Sequence, residues 1–165
     1  MGKTPVKVGI WGLGRAGWGM HTNEIDRYKD EFKIVAGCDK DPERPAMLAK
    51  RYPGCKCYTD AEAFLADPEI EVVSVAVRSP QHIDYGIRAL NAGKIVFLEK
   101  PVGLSSEGLA KLEAAMAAHP GRLFFRHNRR FEAAFNHIRE IIDSGILGKV
   151  YEIKLCRHNF SYRDD

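Results

Sequence analysis

The sequence predicts an α/β fold in which a doubly wound parallel sheet carries helices on both faces. Strand-like and helix-like segments alternate along most of the 165-residue chain, and such strand–helix–strand units build parallel sheets through right-handed crossovers. Residues 69–77 (E-I-E-V-V-S-V-A-V) are β-branched and nearly unbroken, as expected of a strand buried on both faces. A glycine-rich turn follows the first apolar run, where such folds change from strand to helix.

The strands are identified from short apolar runs and the turn residues that bound them. They are predicted at residues 5–11, 32–38, 55–58, 69–77, 94–98 and 122–125. Helices are predicted at residues 16–28, 42–52, 61–66, 81–92, 105–119 and 131–144.

Capping residues support the helix ends. Short polar side chains accept the free N–H groups of a first helical turn, and proline suits its first position. Glycine adopts the left-handed conformation that often follows a helix. The residues expected to open helices are Asp41 with Pro42, Asp60, and Ser105 or Ser106, and those expected to close them are Gly93, Gly121 and Gly145.

Composition excludes several functional classes. The formal net charge is +3, too mild for a nucleic-acid-binding face, and no apolar run approaches the ~18 residues that a membrane span needs. The four cysteines do not match a zinc or C-x-x-C redox motif, so no metal site is expected. Since no export signal is recognisable at the N-terminus, a reduced, cytoplasmic protein is predicted.

The segment Gly12-Leu13-Gly14-Arg15-Ala16-Gly17 follows the first strand and opens the first helix. At this spacing the first glycine makes a tight turn, the second lets a pyrophosphate approach the backbone, and the third lets helix and strand pack closely. The helix N-terminus then offers free N–H groups to the phosphates. Asp39 ends the second strand, 22 residues after Gly17, where an acidic residue bonds ribose hydroxyls. The pattern predicts a dinucleotide-binding Rossmann fold; the alternative is a structural turn with a helix-capping aspartate.

Asp39 also bears on which dinucleotide is preferred. A carboxylate at this position would repel a 2′-phosphate, which favours NAD over NADP. Lys40 and Arg44 are close in sequence and could accommodate that phosphate, or both could be ordinary surface charges. NAD is the predicted cofactor, with NADP as the alternative.

Glu99-Lys100-Pro101 ends the strand at residues 94–98. Ligands of open parallel sheets sit at the carboxyl ends of the strands, so Lys100 is expected near the nicotinamide. Its ammonium could stabilise a developing alkoxide or exchange a proton; the alternative is a surface lysine.

Residues 126–131 (R-H-N-R-R-F) follow the last strand of the predicted sheet. Their cations suggest a phosphate or carboxylate site, or ion pairs between two domains. RNA binding is less favoured because the aromatic stacking platform is missing.

The tail changes pattern at Lys149. Tyr151, Ile153 and Leu155 alternate with polar residues, which predicts a strand with one wet face, typical of an antiparallel sheet. A lone first strand would leave an unpaired edge. We therefore expect a second, truncated α+β domain of which only the first strand is present, unless the strand pairs with another subunit.

From Val6 to about Val150 the sequence resembles the Gfo/Idh/MocA oxidoreductases, named for glucose–fructose oxidoreductase and inositol dehydrogenase. The triplet Glu99-Lys100-Pro101 is the most specific marker. The other markers are the glycine turn with His21, Asp39, Tyr58-Thr59-Asp60, His82, Asn128-Arg129-Arg130-Phe131 and Gly145-Ile146-Leu147-Gly148-Lys149-Val150. The sequence departs from the family pattern at two positions. Arg78 stands in a loop where the family usually carries proline, and Ala133 replaces a proline that often follows the R-F pair.

The resemblance implies an enzyme that transfers hydride between NAD(P) and a sugar, polyol or related alcohol. It implies catalytic Lys100 with His82 facing the nicotinamide and substrate, and a substrate site that includes Asn128 and Arg130. The cofactor residues implied by motif and resemblance together are Gly12, Leu13, Gly14, Arg15, Ala16, Gly17, Asp39, Lys40, Arg78, Glu99 and Lys100.

The resemblance also implies a domain division. Residues 1–130 would form the Rossmann domain, and residues 131–165 the connecting helix and the start of a substrate and oligomerisation domain. The full-length enzyme would be a homo-oligomer. The isolated chain is expected to bind NAD without turnover, because the family's acid/base pair lies in the second domain. Alternatives are a non-catalytic NAD-binding regulator, an NAD-dependent glycosidase of the same family, and a structural module.

Overall fold

The structure is a computed structural model that describes residues 4–156 and 158. The chain divides into two compact units, Met1–Arg126 and His127–Asp165.

The first unit is built on a parallel sheet with the strand order β3-β2-β1-β4-β5-β6. Every neighbouring pair runs parallel, and this order is that of a Rossmann fold. The order reverses between β1 and β4, so a crevice opens there at the carboxyl ends of the strands. The strands are β1 (Val6–Trp11), β2 (Phe32–Cys38), β3 (Lys56–Tyr58), β4 (Val72–Val75), β5 (Ile95–Leu98) and β6 (Leu123–Phe125).

Helices cover both faces, as the doubly wound prediction requires. Ile10, Ile34 and Leu48 form a buried cluster with Trp18 and Ile25 on one face. A larger cluster includes Phe64, Leu90 and Leu112 from the helices of the other face. The helices of this unit are α1 (Thr22–Arg27), α2 (Glu43–Arg51), α3 (Ala61–Ala66), α4 (His82–Asn91) and α5 (Ser106–Ala118).

Several predicted caps are confirmed. The Asp60 carboxylate accepts the Ala63 N–H at 2.7 Å, which opens α3, and the Ser105 hydroxyl accepts the Gly108 N–H at 3.1 Å, which opens α5. Gly93 follows α4 with φ +75°. These local interactions fix where α3 and α5 begin and where α4 ends.

The first helix differs from the single helix predicted at residues 16–28. It begins with a π-helical turn, Gly17–His21, in which the Thr22 N–H donates to the carbonyl of Gly17. The extra residue widens the turn. The turn leads to His21, whose side chain is buried.

β4 is shorter than the predicted run of residues 69–77. Asp67 to Ile70 form a turn in which the Ile70 N–H donates to the Asp67 carbonyl. The buried Lys94 ammonium donates to the carbonyl oxygens of Asp67 and Ile70 at 2.7 Å and 2.9 Å and holds the turn. Beyond Val75 the chain leaves the sheet and lines the crevice.

The second unit contains a 3₁₀ turn, Asn128–Phe131, and α6 (Ala133–Asp143). The predicted strand from residue 149 is wrong for the described residues, since 149–156 carry no strand. An extended segment becomes a strand only when a neighbour pairs with its backbone. Among the described residues, no helix is long and apolar enough to cross a membrane.

Candidate functional site

One cleft of about 1030 Å³ opens at the carboxyl ends of the strands, where the sheet order reverses. It lies within the first unit and gathers most of the predicted site residues of that unit. The predicted residues that line it are Gly12, Gly14, Arg15, Ala16, Asp39, Lys40, Arg78, His82, Glu99 and Lys100.

The glycine turn forms one wall of this cleft. Gly12 has φ +93°, and a Cβ there would lie 2.7 Å from the Val77 backbone nitrogen. A Cβ on Gly17 would lie 1.9 Å from the Gly12 carbonyl oxygen, so Gly17 serves packing and does not line the cleft. A Cβ on Gly14 would meet only the Arg44 guanidinium, at 3.7 Å. The backbone at Gly14 is therefore accessible to a bulky ligand.

Asp39 is held in place at the end of β2. Its Oδ2 accepts the Leu13 N–H at 2.7 Å and a bond from Arg44 at 3.3 Å, and its Oδ1 accepts the Asp41 N–H at 3.1 Å. Leu13 is buried, so its contribution to the site is this backbone bond. The carboxylate is fixed against the glycine turn, and 12% of the side chain stays exposed.

Cations surround the cleft. Lys40, Arg15, Arg78 and Lys100 are exposed, and within residues 4–156 and 158 no hydrogen bond or ion pair engages their side-chain nitrogens. Lys100 is the second residue after β5, and its peptide bond to Pro101 is cis. These cationic groups are available to an anionic ligand.

Glu99 lies under the cleft as a buried carboxylate with three donors. Oε1 accepts bonds from His21 at 2.9 Å and Arg126 at 2.8 Å, and Oε2 accepts the Lys100 N–H at 3.0 Å. Burial by itself would raise the pKa of Glu99, but the His21 bond and the Arg126 charge outweigh it and hold the pKa at about 2. Glu99 is thus a fixed anion beneath the exposed Lys100.

The hydrogen bonds and ion pairs around Glu99 include residues that the sequence did not indicate. The other ring nitrogen of His21 lies 2.5 Å from the Ser74 hydroxyl, and Arg126 also pairs with Glu24. Arg126 is 2% exposed, so this member of the segment 126–131 is not available to an external anion; the role of the rest of the segment stays a prediction. Its partners Glu24 and Glu99 belong to the same unit as Arg126, and these ion pairs are structural.

His82 occupies a place that does not support the predicted catalytic role. The residue is 2% exposed. Its Nδ1 lies 2.6 Å from the carbonyl oxygen of Pro101 and its Nε2 lies 3.0 Å from that of Val77. Since both ring nitrogens face backbone acceptors, neither is presented to a substrate for proton transfer.

Asn128 and Arg130 lie in the 3₁₀ turn of the second unit. Their predicted contact with substrate stays a prediction.

Residues 6–127 match the model of an oxidoreductase family described as having an NAD-binding Rossmann fold. The chain belongs to the Gfo/Idh/MocA family. It is 31% identical over 156 residues to an inositol 2-dehydrogenase of Acidothermus cellulolyticus, covering 93% of this chain and 45% of the relative. It is 30% identical over 160 residues to the 1-carboxy-3-chloro-3,4-dihydroxycyclohexa-1,5-diene dehydrogenase of Comamonas testosteroni, covering 96% and 38%.

The fold also matches solved structures. The scyllo-inositol dehydrogenase of Lactobacillus casei with bound NAD(H) and scyllo-inositol superposes with a TM-score of 0.81 at 28% identity, covering 88% of this chain and 43% of that one. The chain therefore spans about half the length of the relatives it matches.

Proposed function

We propose that this chain is the NAD-binding part of a dehydrogenase that transfers hydride between nicotinamide and a CH–OH group of a cyclic polyol or sugar. The observation that carries the proposal is the single cleft in which the glycine turn, Asp39 and Lys100 meet. The relatives named above act on inositols or a dihydroxycyclohexadiene, which are ring compounds, by their names.

The described residues fit a dinucleotide. The open backbone at Gly14 would take the pyrophosphate, and the exposed Arg15 and Arg78 would add positive charge beside it. The fixed carboxylate of Asp39 would accept hydrogen bonds from the ribose hydroxyls. NAD supplies the hydride acceptor when it is bound.

Lys100 would be the residue of this chain that acts on the substrate. An ammonium ion at the end of β5 can donate to an alcohol oxygen and stabilise the negative charge that develops on this oxygen as its proton is removed, before the hydride leaves the neighbouring carbon. The proton acceptor that completes the reaction is proposed to lie in residues beyond this chain. The substrate contacts of Asn128 and Arg130, a homo-oligomeric state, a cytoplasmic location and a division into domains near residue 130 belong to the same proposal.

Asp39 would set the preference for NAD over NADP. Its carboxylate would repel a 2′-phosphate, and Arg44 is already paired with Asp39 and Asp41. Asp39→Asn is therefore expected to weaken NADH binding by about tenfold or more, as the loss of a hydrogen bond to a charged group predicts, while NADPH binding stays equal or improves.

Fluorescence titration with NADH and NADPH measures both affinities. Asp41→Asn is the matched control, because Asp41 is an exposed aspartate two residues after Asp39 and its substitution removes the same charge. The ratio of its affinities for NADH and NADPH should stay near that of the unsubstituted chain. If Asp39→Asn leaves this ratio unchanged, Asp39 does not read the ribose and the assignment of the site fails.

A further inference from the structure

The geometry points to His82 as a positioning residue that holds the Lys100–Pro101 segment through the Pro101 carbonyl and exchanges no proton with substrate. This inference rests on the proposed function, because it explains the fixed position of Lys100 by the proposed role of this residue toward substrate. It replaces the catalytic role that the sequence suggested for His82.

The contacts place His82 between two segments that line the cleft. Val77 belongs to the segment that follows β4, and Pro101 belongs to the segment that follows β5. The ring nitrogens lie 3.0 Å and 2.6 Å from the carbonyl oxygens of these two residues. A single buried side chain at the start of α4 therefore contacts both segments.

The chemistry of imidazole limits what this ring can do. A neutral imidazole has one N–H and can donate to only one of the two carbonyls, whereas an imidazolium donates to both. In either state each nitrogen is directed at a backbone oxygen. A general base needs a nitrogen within hydrogen-bond reach of the substrate proton, and His82 has none to offer.

The Lys100 segment is fixed from two sides. The Lys100 N–H donates to Glu99 Oε2 at 3.0 Å, and the carbonyl of the next residue, Pro101, lies 2.6 Å from His82 Nδ1 and accepts its N–H when this nitrogen is protonated. The backbone on both sides of the Lys100 side chain is thus bound by buried groups, while the side chain itself is exposed. A reacting group must be held within a fraction of an ångström of its productive place, and these two bonds supply that restraint.

Two substitutions separate the two ring contacts. His82→Asn places an amide nitrogen where Nδ1 lies and can keep the bond to Pro101, and His82→Gln places one where Nε2 lies and can keep the bond to Val77. Urea denaturation of both variants checks that they are folded and of comparable stability.

The first readout is hydrogen exchange of the Lys100 amide, measured by NMR on the chain without cofactor. His82→Gln is expected to speed this exchange about tenfold, the effect of losing one hydrogen bond to the segment, and His82→Asn to leave it within about twofold. The second readout is the NMR shift of the Lys100 side chain when NADH is added. The lysines are labelled with ¹³C-methyl groups, and the resonance of Lys100 is identified as the one that is missing in Lys100→Arg. That resonance should shift in the His82→Asn variant as in the unsubstituted chain, and should shift less in His82→Gln.

Equal amide exchange in the two folded variants overturns the inference, as does faster exchange in His82→Asn than in His82→Gln. Failure of the proposed function looks different. In that case the unsubstituted chain would not bind NADH, while the exchange rates would still report whether His82 holds the segment.

Discussion

Glu99→Gln tests the buried ion network beneath the cleft. The carboxylate is 4% exposed, and its pKa is lowered from 4.5 to about 2, because the His21 bond and the Arg126 charge outweigh the burial that would raise it. The folded pKa lies below the unfolded value, so the carboxylate stabilises the fold fully above pH 4.5 and loses this effect as the pH falls toward 2. Each unit of difference between the folded and unfolded pKa is worth about 1.4 kcal/mol, so the charged network contributes about 3 kcal/mol to the free energy of unfolding at pH 7.

The substituted chain keeps the shape of the side chain and loses its charge. Urea denaturation should show Glu99→Gln less stable by about 3 kcal/mol at pH 7. The difference from the unsubstituted chain should be about 2 kcal/mol smaller at pH 3, because part of the Glu99 effect is lost there in the unsubstituted chain. Glu107→Gln is the control, since Glu107 is an exposed carboxylate paired with Lys111 on α5, and it should change stability little at either pH. A stability difference for Glu99→Gln that does not change with pH would refute the reasoning.

Three further substitutions and reactions test the packing of the first unit. Gly17→Ala would place a Cβ 1.9 Å from a backbone carbonyl oxygen and should lower the free energy of unfolding by more than about 3 kcal/mol. Gly19→Ala is the control, because a Cβ there would have no neighbouring atom within 4 Å, and its stability should not fall by this amount. Thermal unfolding compares the two variants. Phe64→Ala should cost about 3–5 kcal/mol in urea denaturation, because the ring is 0% exposed; a cost below 1 kcal/mol would contradict the described core. Burial raises the pKa of the Cys38 thiol to about 12, so an aromatic disulfide reagent at pH 8 should leave it unmodified in the folded chain while the exposed Cys57 reacts; mass spectrometry of the peptides would reveal the opposite order.

The elements that the sequence predicted well are those fixed by neighbouring residues. Asp60 and Ser105 bond N–H groups three residues ahead, and Gly93 adopts the positive φ that its place after α4 requires. The glycine turn was predicted because strand, turn and helix are contiguous in sequence. Local interactions of this kind are present in the order of the residues.

The network around Glu99 depends on residues far apart in the chain. His21 and Arg126 are separated from Glu99 by 78 and 27 residues, and no short motif joins them. One signal was available for the second pair, since Glu99 follows β5 and Arg126 follows β6 directly, and the ends of neighbouring parallel strands meet. The His21 contact depends on the π-helical turn, which the periodicity of a regular helix does not predict.

One prediction was wrong and another is not supported by the geometry, for physical reasons that lie outside local sequence. The alternation of Tyr151, Ile153 and Leu155 predicts a strand only if another backbone is available to pair with it. The position of His82 near Lys100 suggested chemistry, but the pattern could not show that both ring nitrogens face backbone carbonyls. In both cases the missing information was the identity of the hydrogen-bond partner.

The central claim is that the cleft of the first unit binds a nicotinamide dinucleotide. Trp11 lines the cleft and Trp18 lies beside the glycine turn, so bound NADH should quench tryptophan emission and appear as energy transfer to the nicotinamide. Titration of the folded chain with NADH, followed by competition with NAD, measures this directly. Saturable energy transfer that NAD reverses, stronger with NADH than with NADPH, is the predicted result; a folded chain, verified by circular dichroism, that shows no saturable transfer with either dinucleotide would contradict the account.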